Sequence, residues 1–161
     1  MNWAHTHLLV NHVPVLGPLF AAGFLLLALV TRDRDGWVRA AIVTLAASFA
    51  GAVAAYLSGS PAITDVASIP RTSGKALAEH HGLALIATVL VGMAAAAAIV
   101  ALVVRRRRAA HATWMVAVVL ACTLVAAGAM GLVGLAGGRI NHPELQTDAD
   151  RAGGPASTHH H

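Results

Sequence analysis

Four runs of mostly apolar residues, 8–30, 37–57, 82–104 and 113–136, take up most of this 161-residue chain. Each has the length, about 20 residues, that a helix needs to cross the ~30 Å hydrocarbon layer of a bilayer. A soluble bundle would require a polar stripe recurring every third or fourth residue, and neither 40–55 nor 94–104 contains one. With 57% hydrophobic and 11% charged residues, the composition also departs from that of soluble domains. The predicted fold class is an all-α membrane protein, a four-transmembrane-helix up-and-down bundle within residues 1–142. The first run follows no Lys or Arg and exceeds the apolar core of a signal peptide, so it reads as a retained span.

The cations give the bundle a direction. Arg32, Arg34 and Arg39 flank the first connection, and Arg105, Arg106, Arg107 and Arg108 open the third. In an up-and-down topology these two connections share a side, which the positive-inside rule assigns to the cytoplasm. Both termini and the connection 58–79 are then outside. Trp37 and Trp114 mark the inner helix ends, Trp3 and Tyr56 the outer ones, as interfacial aromatics do. The net charge of +4 is thus used in membrane anchoring, and no nucleic-acid partner is expected. The predicted location is the inner (cytoplasmic) membrane of a bacterium.

Local signals refine the connections. Ser73 can cap a helix that starts near Gly74 and runs through Glu79, His80 and His81 into the third span. Pro14 and Pro18 stand one turn apart in the first helix and predict either a late start at Asn11 or a kink. Residues 143–158 form a polar outer tail, and His159, His160 and His161 read as a purification-tag remnant. Cys122 is the only cysteine, so there is no disulfide framework and no CxxCH for covalent haem attachment.

Outside that remnant the histidines are His5, His7, His12, His80, His81, His111 and His142. All but His111 fall at the outer face on this topology, contributed by three helices. Imidazole is the commonest metal ligand, and helix bundles build cofactor sites from facing side chains. Interfacial solvation would account for any one of these residues, but six on one face point to a haem or metal site. His80 and His81 are about 100° apart on a helix and are not expected to face the bundle centre together. His12 is the deepest histidine of the first helix.

Haem b requires one or two axial imidazoles, a flat apolar slot and partners for its propionates. Gly128, Gly131, Gly134 and Gly137 recur every third residue on the fourth helix and could leave such a slot. They could equally serve close helix packing, as could Ala46, Ala47, Ala50, Gly51 and Ala54 on the second. Arg71, Lys75 and Arg139 are the candidate propionate partners. Met93 and Met130 are further potential haem ligands, though mid-helix methionines ordinarily pack. Copper, zinc or iron bound by three or four imidazoles, with Glu79 or Glu144, is the alternative. A third reading is an accessory subunit without a cofactor. No phosphate loop, nucleophile elbow or intramembrane carboxylate pair occurs, so the chain is expected to transfer electrons or bind metal rather than act as a self-contained enzyme. Small-residue helix faces would permit a homo-oligomer.

The motifs His7-Leu8-Leu9-Val10-Asn11-His12-Val13-Pro14, Glu79-His80-His81 and Gly137-Gly138-Arg139-Ile140-Asn141-His142 together resemble the bacterial four-helix membrane family catalogued as domain of unknown function 2231. That resemblance spans the membrane domain and selects His12, His81 and His142, with His7 as a fourth. Its association with c-type cytochrome domains implies a redox setting, haem b, and a quinol or an extracytoplasmic cytochrome as partner. The chain departs from the family pattern in having Asn-His-Val-Pro in place of His-Phe-Pro and Asn-His-Pro-Glu in place of His-Gly.

Overall fold

A computed structural model of the chain describes residues 3–67, 74–107 and 113–141. They form α1 (Trp3–Val10), α2 (His12–Val30), α3 (Arg34–Ala67), α4 (Gly74–Arg107) and α5 (Thr113–Asn141). Four stretches, His5–Val30, Arg34–Pro61, Gly74–Val104 and Thr113–Ile140, are long and apolar enough to cross a membrane. The described residues contain no strand.

α1 and α2 are one span interrupted at a single residue. Asn11 keeps helical angles (φ −66°, ψ −19°), and its N–H still donates to His7 O at 3.0 Å. Pro14 has no N–H to offer Val10 O, so the hydrogen-bond ladder is broken three residues later. The helix therefore begins well before Asn11, at Trp3, instead of starting late. The connection expected at 58–79 is also shorter, because α3 continues through Pro61 to Ala67. Ser58 lies inside this extension, buried, with its hydroxyl donating to Ala55 O at 3.1 Å. α4 starts at Gly74, as the sequence predicts. Ser73, Arg71 and Pro70 fall outside the described residues.

The long helices close into a ring: α2 and α4 each pack against both α3 and α5, while α1 rests mainly on α3. Four seams fill the interior at intervals of seven, the repeat of a left-handed bundle. Buried residues recur at Pro14, Ala21 and Ala28 on α2, Val38, Leu45 and Ala52 on α3, Ala87, Ala94 and Ala101 on α4, and Val116, Thr123 and Met130 on α5. Most are small, which lets the helix backbones approach closely and gain dispersion contacts that do not depend on water. The two hydroxyls in the middle of the bundle, Ser48 and Thr123, are fully buried and each donates to a carbonyl of its own helix, at 2.7 and 2.8 Å. No donor is left unpaired there, as a dry interior demands.

Outward faces are apolar on every long helix, with Phe20, Val43, Met93 and Val125 each more than half exposed. The small residues Ala46, Ala47, Ala50 and Ala54 also face outward. Of the packing seam expected there only Gly51 makes a close approach, to Val13 and Pro14 of α2. At the end of the bundle opposite α1, Arg34 joins three helices. Its Nε donates to Ala28 O at 3.0 Å and its guanidinium to Thr113 Oγ1 at 2.9 Å. Asp33 caps α3 by accepting from Gly36 N at 3.1 Å.

Tight contact between α2 and α3 depends on Gly17, where an added Cβ would collide with Ser48 Oγ. Gly17→Val is expected to destabilise the bundle by about 1–3 kcal/mol, the ordinary cost of overpacking. An unchanged thermal unfolding midpoint in detergent would show that the helices separate freely at this point.

Candidate cofactor site

Each interior seam, followed toward the end where α1 lies, terminates in a histidine or a glycine. The α2 seam runs back through the Asn11 interruption to His7, and the α4 seam runs back from Ala87 to His80. The α3 seam runs forward from Ala52 to Gly59, and the α5 seam from Met130 to Gly137. The pairing is steric: Gly59 Cα faces the His7 ring, where a Cβ would stand 3.5 Å from His7 Cε1. A Cβ on Gly137 would stand 3.2 Å from His80 Cε1. Both imidazoles thus occupy room that a missing side chain provides.

Hydrogen bonds fix the two rings. His7 Nδ1 lies 2.9 Å from Ala55 O, with Ser58 Oγ at 3.3 Å, and His80 Nδ1 lies 3.1 Å from Val133 O. A carbonyl can only accept, so Nδ1 must carry the proton in both rings. In neutral imidazole Nε2 is then the bare nitrogen. Orientation of this kind, Nδ1–H on a backbone carbonyl, is what metal-ligating histidines ordinarily have behind them. The ring centres of His7 and His80 are 6.3 Å apart and the planes lie at 81°.

His7 and His80 line a cavity of about 440 Å³, within the range of small-molecule and cofactor sites. His12, His81, Tyr56 and Met130 also line it. His12 is exposed rather than deep, with Nδ1 2.8 Å from Leu8 O one turn earlier. His81 lies half-buried with its ring stacked on Tyr56 at 4.7 Å. The adjacent pair His80 and His81 therefore both reach the cavity, which is wide enough to meet two directions of α4. His5 is exposed on α1 and Met93 faces outward, so neither belongs to the site. Of the expected glycine track, Gly134 and Gly137 border the cavity. Cβ atoms on Gly128 and Gly131 would meet nothing within 4 Å, so those two neither pack a neighbouring helix of this chain nor shape the site.

No known family, curated protein or solved structure matches the chain. The site is therefore read from its own chemistry.

Among the described residues no three His, Cys, Asp or Glu side chains gather as a metal site. His142, Arg71, His111 and Glu144 lie outside the described residues. The convergence found is a pair, His7 with His80, with ring centres 6.3 Å apart. With a metal–nitrogen bond of about 2 Å, each ring centre would sit about 3 Å from an ion, so this separation leaves room for one ion between the rings. Sequence reasoning favoured His81 over His80, yet a signal for His80 was present. His80 falls in step with Ala87, Ala94 and Ala101 at sevens, and His7 with Pro14, Ala21 and Ala28.

Proposed function

We propose that this chain is a small b-type cytochrome of the bacterial inner membrane, in which His7 and His80 would hold haem near the outer face. It exchanges electrons with a quinol or an extracytoplasmic redox partner. The observation that carries this reading is the pair of carbonyl-anchored imidazoles, their ring centres 6.3 Å apart, in a cavity bordered by glycine. Bound haem supplies reversible one-electron chemistry. The chain's residues supply two bare Nε2 atoms, a largely apolar enclosure that excludes water, and Met130 as packing. Arg139 is the nearest of the expected propionate partners in sequence to the cavity wall formed by Gly137 and Gly138. Arg71, the other partner that the sequence suggests, lies outside the described residues.

Orientation follows from Arg32, Arg34 and Arg39 at one end and the histidines at the other, which puts the site and both termini outside. Alkaline phosphatase fused after the C-terminus is expected to be active in cells, and the same enzyme inserted at 108–112 inactive. The opposite pattern would invert the topology.

An absorption spectrum of detergent-purified protein before and after dithionite tests the cofactor. The expected result is a Soret band that moves on reduction, with about one haem per chain. A copper site is the second reading, because the same His7 and His80 would supply two imidazole nitrogens to the ion. Absence of a Soret band together with stoichiometric copper would select it. Absence of both would leave the accessory-subunit reading.

A further inference from the structure

Among the described residues, one side of the cavity is not closed by protein. α1 rests on α3 rather than on the outer end of α5. On α5, Gly134 and Gly138 border the cavity, and a Cβ on either would meet nothing within 4 Å. Facing them, Leu8, Asn11, His12 and Val15 share one helical face by their 3–4 spacing and line the cavity. Leu8 and His12 are nevertheless exposed, so the cavity reaches the molecular surface along this face. The opening is lateral, between two helices whose outward residues are apolar. In a bilayer such an opening would meet lipid at this face.

We propose that this lateral mouth admits the ring of a membrane-soluble quinol or quinone from the bilayer, which docks beside the His7–His80 pair. The chemistry of the mouth selects this class of ligand. No Asp, Glu, Lys or Arg lines the cavity among the described residues, and Arg139 only follows its wall at Gly138, so the lining itself favours a neutral ligand over a charged one that would lose its hydration. A quinol is neutral, flat and attached to an apolar chain that can remain in lipid. Its two oxygens need hydrogen-bond partners, and the mouth holds both kinds. His12, with Nδ1–H committed to Leu8 O, offers Nε2 as acceptor to a quinol hydroxyl. The Asn11 amide and the Tyr56 hydroxyl can donate to a quinone oxygen. The inference rests on the haem reading only for where the electrons go; the binding itself does not require it.

The test measures calorimetric binding of a short-chain benzoquinone to detergent-purified protein, with haem content followed by the Soret band in the same samples. Wild type is expected to bind one quinone without losing haem. Gly138→Leu and Gly134→Leu, which fill the mouth where nothing stands, are expected to weaken binding at least tenfold. At least one of them should retain the wild-type melting temperature, which separates a filled mouth from a misfolded bundle. Gly128→Leu, equally unobstructed but outside the cavity, is expected to bind as wild type does. Lack of binding to wild type, undiminished binding to both mouth variants, expulsion of haem by quinone, or a tightly co-purifying phospholipid in its place would each overturn the proposal. Quinone binding with the expected variant pattern but no Soret band would uphold it while removing the haem reading.

Discussion

Replacing His80 with alanine is expected to lower the haem content of the purified protein at least tenfold, and His7→Ala to do the same, while His5→Ala leaves it unchanged. The contrast follows from how the rings are held. His7 and His80 each spend Nδ1–H on a carbonyl of a neighbouring helix, Ala55 O and Val133 O, so the other nitrogen is both bare and directionally fixed. Loss of an outer-shell partner alone ordinarily costs 10–100-fold in metal affinity, and loss of the ligand itself costs at least as much. His12 also has an anchored Nδ1, but its partner is one turn away on its own chain segment and the side chain is exposed. His12→Ala is therefore expected to retain the Soret band and mark the mouth of the cavity instead of its centre. Melting temperatures separate ligand loss from unfolding. If both single variants keep a wild-type spectrum, the pair is structural and the ligands lie elsewhere.

The four long apolar helices were legible because crossing a bilayer imposes a length and a composition on each helix, and nothing else in the chain competes with that signal. Boundaries were less so. α3 outruns the apolar stretch because a helix end in a bundle is set by side-chain packing as well as by hydropathy. Ser58 is polar, yet it is buried with its hydroxyl bonded to Ala55 O. The gathering of histidines at one end was also readable from topology. Which of them face each other was not, since a resemblance built on short motifs carries no rotational information. Rotation is encoded in the sevenfold seams, where small buried residues at Ala87, Ala94 and Ala101 point back to His80. A hydropathy reading treats those alanines as interchangeable with outward ones such as Ala96, so the seam emerges only when the four helices are assembled. The glycine track shows the same limit. Gly128, Gly131, Gly134 and Gly137 look equivalent in sequence, but only Gly137 faces a side chain.

That inequality yields the second large effect. Gly137→Leu is expected to abolish haem binding as fully as His80→Ala, although it leaves every histidine in place. A Cβ at this position would stand 3.2 Å from His80 Cε1 and 3.4 Å from His80 Nδ1, so the remainder of a leucine side chain must enter the volume of the ring. His80 can escape only by rotating away from Val133 O, which gives up a hydrogen bond worth about 1 kcal/mol and, more consequentially, the direction of Nε2. Gly137→Ala needs a shift of only a few tenths of an ångström and should fall between wild type and leucine. Gly131→Leu, at a position where nothing lies within 4 Å, serves as the control for added bulk on α5 and should bind haem normally. The graded series bears on His80 because its ring is the one side chain that a Cβ at Gly137 meets within 4 Å among the described residues. A leucine variant that keeps both its haem and its spectrum would mean that the ring's place against α5 is irrelevant to the cofactor, and the assignment of His80 would fall with it.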